Sequence, residues 1–238
     1  MNRKYEIDPL GLITLSFRQS LKRALFWARL SMWRILCSLP LVTAPAAKAA
    51  FYQGIAEGLR DPFEQRINLR EVFVRGFFDH LLRSTVVSLI NLLALAVLAF
   101  GILFWVYQEQ FWLNLLAGLG LPFLIYWWMC QPYIFPLLVE RSELSAVQVL
   151  RAVVKLPAAH PAYSFVLAFS LTWLFALSIP LVGPLSLITI PFLAVFATQA
   201  FWAVNGEMIP DLIDPVQYAE FLEKEEQRTA EGSAQEAE

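Results

Sequence analysis

Three stretches of the chain carry no Asp, Glu, Lys or Arg: 84–108, 110–139 and 156–206. A helix crossing the ~30 Å hydrocarbon core of a bilayer needs about 20 consecutive apolar residues. The pattern therefore predicts four spans, at 85–106, 112–139, 164–182 and 185–205. The second is longer than one straight crossing needs. Its Pro122, Pro132 and Pro136 each remove a backbone donor and allow a tilt or kink. The last two are separated by Pro180-Leu181-Val182-Gly183-Pro184, a turn signal. The fold class that follows is all-α: a polytopic helical membrane protein.

Two connections have a helical period of their own. Leu69, Phe73, Phe77 and Leu81 recur every four residues, and Glu71, Arg75, Asp79 and Arg83 do the same on another face with alternating sign. That spacing predicts an amphipathic helix with an ion-pair ladder. Residues 144–156 repeat the theme, with Gln148, Arg151 and Lys155 on one face and Val147, Leu150, Val153 and Val154 on the other. The expected architecture is thus a set of helical hairpins, each preceded by a cytoplasmic amphipathic helix. The first apolar run, 24–43, is interrupted by Arg29 and Arg34 and lacks the small-residue cleavage site of a signal peptide. Arg18, Lys22, Arg23, Arg29 and Arg34 fall on one side of a continuous helix, opposite Ile13, Phe17, Leu21, Leu25, Met32 and Ile35. Pro40 and Pro45 bracket a turn after it. The segment 24–58 is expected as an interfacial helix or a shallow hairpin, its arginines snorkelling to the headgroups.

Composition sharpens this picture. Of 238 residues 58% are hydrophobic and 16% charged, against roughly 45–50% and about 25% in soluble domains. This argues against a disordered chain, a disulfide scaffold and a basic nucleic-acid module. Charge is unevenly placed. Residues 208–238 hold nine of the 20 acids and only two of the 18 basic residues. Sixteen basic residues lie in the N-terminal segment, the two long connections and the tail, and none lies in the turns at 107–111 and 183–184. The positive-inside bias places both termini in the cytoplasm. The chain then divides into an integral membrane domain, 1–207, and an acidic cytoplasmic tail, 208–238. Its basic body suits a cell membrane with an anionic cytoplasmic leaflet as lipid partner.

The stretch 33–51, WRILCSLPLVTAPAAKAAF, resembles the YesL-like family of bacterial integral membrane proteins of unknown function. Leu36-Cys37-Ser38-Leu39-Pro40-Leu41-Val42-Thr43 is similar to a Leu-Cys-Ser-Leu-Pro-Ile-Val-Thr type motif of that family. The Ala-rich run after Pro45 and the Arg/Phe-rich segment at 72–83 fit the same layout. The chain departs from it in Arg34, where an apolar residue is expected, in Lys48 within the Ala-rich run, and in lacking a Gly before Pro45. The resemblance implies a multi-pass bacterial membrane protein, often encoded near carbohydrate-uptake systems. It supplies no catalytic residue.

Candidate chemistry is sparse. His80 and His160 lie in connections without a partner at metal-ligand spacing, and both read as surface or interfacial residues. No phosphate loop and no acid pair within a span is visible. No catalytic residue, metal or cofactor is expected. Cys37 and Cys130 read as small apolar core residues. The candidate functional residues are polar groups where lipid is expected. Arg29 and Arg34 are charges in an apolar run, and Asn91 and Gln131 are amides that need partners inside spans. Asn114, Thr198, Gln199 and Asn205 share the second property. The expected function is a non-enzymatic accessory or regulatory component of a transport system, such as carbohydrate uptake, or of an envelope system. Other membrane proteins of that system would be its partners. The alternative is a small membrane transporter or channel, for which the proline turns at 40–45 and 180–184 would provide broken helices.

Overall fold

The computed structural model describes residues 16–17, 20, 24–60, 68–107, 111–178 and 186–205. The expected turns at 108–110 and 180–184, most of the N-terminal basic segment and the acidic tail lie outside the described residues. Among those described, the chain is all-helical. In order come α1 (Ala24–Ser38), a 3-10 turn (Leu41–Thr43), α2 (Ala44–Arg60), α3 (Leu69–Val106), α4 (Phe111–Glu140), α5 (Ala146–Ala159), α6 (Pro161–Ser178) and α7 (Ser186–Asn205).

Among the described residues, two helices are long and apolar enough to cross a membrane: α3, and α4 over Gly118–Glu140. A third qualifies if α5 and α6, which meet at 107°, are taken as one bent element. Four spans were expected. The segment of α7 that is long and apolar, Thr189–Asn205, is shorter than the other candidates. In α3 one unbroken helix of 38 residues carries both the charged segment and the apolar one. At 1.5 Å per residue it is about 57 Å long, well beyond a single hydrocarbon core.

The 24–58 segment folds as a helical hairpin, not as a continuous helix. Pro40 cannot donate to an α-helical ladder, and hydroxyls finish the turn. Ser38 Oγ donates to the Arg34 carbonyl at 2.6 Å, and Thr43 Oγ1 donates to the carbonyls of Cys37 at 2.7 Å and Pro40 at 2.9 Å. The last carbonyls of α1 lack helical partners, so Ser38 and Thr43 complete what the Ser-Leu-Pro-x-x-Thr sequence begins.

α2 sits at the centre because its side chains are small. Ala46, Ala47, Ala49 and Ala50 are fully buried. A Cβ at Gly54 would lie 2.8 Å from Leu30, and one at Gly58 would lie 2.8 Å from Phe26 and 3.0 Å from Trp27. The Gly-x-x-x-Gly spacing thus lets α1 approach its partner closely, the small-residue packing of helices that cannot rely on expelling water. On α3, a Cβ at Gly76 would run into Gln53 and lie 3.4 Å from the Ala50 Cα.

α5 starts on a reciprocal capping box: the Gln148 backbone N–H donates to Ser145 Oγ, and the Ser145 N–H donates to Gln148 Oε1 at 2.8 Å. Its inner face is Val149, Val153 and Pro157. Val147 and Val154, expected on the apolar packing face, are instead exposed beside Arg151 and Lys155. On α6, Phe165, Phe169 and Trp173 form an exposed stacked ladder with ring planes 13° and 6° apart.

Candidate functional site

A polar cavity opens where α2, α3 and the end of α4 meet. It measures about 370 Å³ and is lined by Gln53, Glu57, Arg60, Asp79, His80, Arg83 and Glu140, with Ala56, Val139 and Ser142. That volume falls in the roughly 300–1,000 Å³ range of small-molecule sites.

Each wall follows from local structure. Gly76, His80 and Ser84 recur every four residues on the face of α3 turned to α2 and α4, and all three are buried. His80 is only 5% exposed, which corrects the expectation of a surface histidine. The predicted ladder on α3 does not form as an intrahelical set. Arg75 pairs with Glu57 of α2 at 3.0 Å, and Gln53 donates to the same Glu57 oxygen at 2.9 Å. Arg83 donates to the carbonyls of Leu138, Arg141 and Ser142. These are carbonyls at and just beyond the C-terminus of α4, which are among those helical bonding leaves free, so a guanidinium is well suited to them.

Glu140, the last residue of α4, is the anchor. Its carboxylate accepts from Arg60 at 2.5 Å and from the Trp202 indole N–H at 2.7 Å, joining α2, α4 and α7. The Arg60 guanidinium carbon lies 5.4 Å from the centre of the Trp202 ring. Glu140 is nearly buried, its side chain 8% exposed, whereas Arg60 is 52% exposed. The pair therefore has one foot in water.

Three polar atoms on the cavity wall are buried without a hydrogen-bond partner: Gln53 Oε1, His80 Nδ1 and Arg83 Nε. A buried polar atom left unpaired costs about 1–3 kcal/mol. Three of them around one void describe a site shaped for a polar occupant, either water or a small solute with both donors and acceptors. Among the described residues, no cluster of three or more His, Cys, Asp or Glu could hold a metal ion.

The residues singled out from sequence lie elsewhere. Asn91 and Gln131 meet between α3 and α4: Asn91 Nδ2 donates to Gln131 Oε1 at 3.0 Å and Gln131 Nε2 to Asn91 Oδ1 at 3.3 Å. The Trp127 indole N–H adds a third bond, to Asn91 Oδ1 at 3.0 Å. Thr198 donates to the Ala194 carbonyl, and Gln199 accepts from Ser16. Arg29 is exposed. Arg34 is not on an outer polar face. Trp27, Leu30 and Ser31 are the buried residues of α1, and Arg34 continues that stripe at the next helical step, 5.3 Å from the centre of the Phe51 ring. The exposed side of α1 is the apolar one, with Leu25, Met32, Ile35 and Leu36.

The cavity was missed in the sequence because its walls come from residues as far apart as Gln53 and Ser142. One signal was present: Gly76, His80 and Ser84 form a third four-residue stripe, beside the two that run from Leu69 to Leu81 and from Glu71 to Arg83. Comparison with protein families, with curated proteins and with solved structures finds no match to this chain.

Proposed function

We propose that this chain is a multi-pass protein of the bacterial cell membrane, of the YesL-like type. In this reading both termini are cytoplasmic, and the protein works as a non-enzymatic accessory or regulatory component of a transport system, through a ligand site on its cytoplasmic side. The charge asymmetry supports the orientation: the cavity-lining residues Glu57, Arg60, Asp79 and Arg83 belong to the basic connection, which the positive-inside bias keeps in the cytoplasm. α5, ahead of its 107° bend into α6, then lies along the inner surface with Arg151 and Lys155 at headgroup level.

The observation that carries the functional reading is that the cavity is charged and, among the described residues, is backed by an apolar layer. Its lining ends at Arg83 on α3 and Val139 on α4. The next layer is apolar and closed, with Val87, Ile134 and Leu138 at most 2% exposed. Deeper still, the amides of Asn91 and Gln131 use their hydrogen bonds on each other instead of lining a path. A pocket that receives a solute without passing it on suits sensing or docking better than conduction.

Two measurements test this. In a cysteine-free background, single cysteines at Gln108 and Ser233 are exposed to a membrane-impermeant thiol reagent in intact cells; labelling at 108 alone is expected, and labelling at 233 alone would overturn the orientation. The chain is also extracted in mild detergent from its native membranes. Co-purification of a transport-system component at constant stoichiometry is expected. A chain that purifies alone and conducts ions or solutes after reconstitution would replace this reading with a small transporter or channel.

A further inference from the structure

Two cations, one from each leg of the α1–α2 hairpin, lie on aromatic rings with no carboxylate partner among the described residues. Arg34 sits on the packed stripe of α1 against Phe51. Lys48 Nζ, from α2, lies 4.2 Å from the centre of the Phe135 ring of α4. Tyr52, one turn along α2, stacks on the same Phe135 ring at 5.6 Å and 19°. The Phe51 ring under Arg34 lies edge-on to the Tyr52 ring, 6.2 Å between centres, so Arg34, Tyr52 and Lys48 sit along one run of aromatic rings and form one cluster. Among the described residues no carboxylate pairs with either cation. Arg60, Arg75 and Arg141 each have a glutamate instead.

Aromatic faces attract cations, but they leave the hydrogen-bond donors of an ammonium and a guanidinium unused. Two like charges brought together in a sheltered place also repel each other. One group answers all of this: an oxyanion with several acceptor oxygens, taken by the planar fork of Arg34, the point charge of Lys48 and the hydroxyl of Tyr52. Arginine's fork matches phosphate geometry. Beside the cluster, α1 turns Met32, Trp33, Ile35, Leu36 and Leu39 outward. A phosphate held at Arg34 would leave room for acyl chains along that apolar face.

We propose that Arg34, Lys48 and Tyr52 form a binding site for the phosphate of an anionic lipid headgroup, its chains lying on the exposed face of α1. The site shares no lining residue with the cavity at His80 and holds whether or not the protein serves a transport system.

The test uses the full chain, purified in detergent and stripped of lipid. Its thermal midpoint is read with phosphatidylglycerol, phosphatidylcholine or inorganic phosphate. Phosphatidylglycerol should raise the midpoint and phosphatidylcholine should not. Arg34→Gln and Lys48→Gln should each weaken the apparent affinity by roughly fivefold to tenfold, while Arg70→Gln, at an exposed basic residue of α3, should leave it unchanged. Equal responses to the two lipids, or a wild-type response in the combined Arg34→Gln/Lys48→Gln variant, would overturn the site. A shift with inorganic phosphate but none with phosphatidylglycerol would overturn the lipid as its source. If the Gln variants do not survive extraction, native mass spectrometry of the wild-type chain decides the matter. Selective retention of phosphatidylglycerol supports the site, and equal retention of both lipids refutes it.

Discussion

Asn91 and Gln131 face each other between α3 and α4 and exchange two amide hydrogen bonds, at 3.0 and 3.3 Å. Gln131 also donates to the Trp127 carbonyl at 3.1 Å, so removing Asn91 leaves the Gln131 oxygen without a donor but not its amide nitrogen without an acceptor. Asn91→Leu should cost more than the ~0.6 kcal/mol average for such bonds, approaching ~1.7 kcal/mol, because Trp127 loses its acceptor too. The Asn91→Leu/Gln131→Leu double variant should be less destabilised than the sum of the two single changes. A double-mutant cycle on thermal midpoints in detergent measures the coupling. Strict additivity would show that the two amides do not depend on each other.

Glu140 separates charge from hydrogen bonding. Glu140→Gln keeps an acceptor for the Trp202 indole and loses only the pair with the half-exposed Arg60. Exposed pairs contribute about 0–1 kcal/mol, so this change should be mild. Glu140→Ala also strands the indole N–H and should cost about 1–3 kcal/mol more. Comparing the two midpoints, with Trp202 fluorescence as a local reporter, checks the order. Equal losses would mean that the charge, not the acceptor, matters.

The glycines divide into those under a neighbour and those in the open. Gly58→Ala places a Cβ 2.8 Å from Phe26 and 3.0 Å from Trp27. Both rings must shift, at a cost of about 1–3 kcal/mol. Gly101 has nothing within 4 Å of the same position. Gly101→Ala should therefore stabilise α3 by about 0.5–1 kcal/mol through helix propensity alone. Opposite signs are expected in parallel unfolding measurements.

Lys48 makes lipid-free stability depend on pH. Burial, aided by the charge of Arg34, pushes its ammonium down from 10.5 to about 8. The groups that face it are Arg34 of α1, Tyr52 of α2 and the uncharged Phe135 of α4. Burial raises the Tyr52 hydroxyl to about 12, so it stays neutral over the range where Lys48 titrates. Between about 8 and 10.5 the unfolded chain keeps a proton that the folded chain has lost, and stability rises with pH across that window. Below about 8 both states carry the proton, so this group adds no pH dependence and its burial penalty is fully present. Thermal midpoints of the stripped protein should climb from pH 8 to 10, and Lys48→Met should remove the climb. A slope that survives this substitution would assign it to another group.

Much of the secondary structure was already determined by the sequence alone. Charge-free runs, proline positions and helical periods are local properties, and a backbone that must satisfy its own hydrogen bonds in an apolar setting has few alternatives to a helix. All-helical order and the helical segment that opens α3 follow from such counting. Partner choice does not. Arg75 had acids one turn away on both sides, Glu71 and Asp79, yet it bonds Glu57 of another helix. Arg34 shared one arc of the helical pattern with Arg29 and the basic residues before α1, but the hairpin turned Arg34 inward and left Met32 and Ile35 exposed. His80 looked like a surface residue until α2 and α4 closed over it. The reason is physical. A helical period says which residues share a face, whereas the direction of that face depends on which neighbour is small enough to be approached. Here that neighbour is α2, whose alanines and glycines draw α1, α3 and α4 around it and so bring Gln53, His80, Arg83 and Glu140 to one cavity.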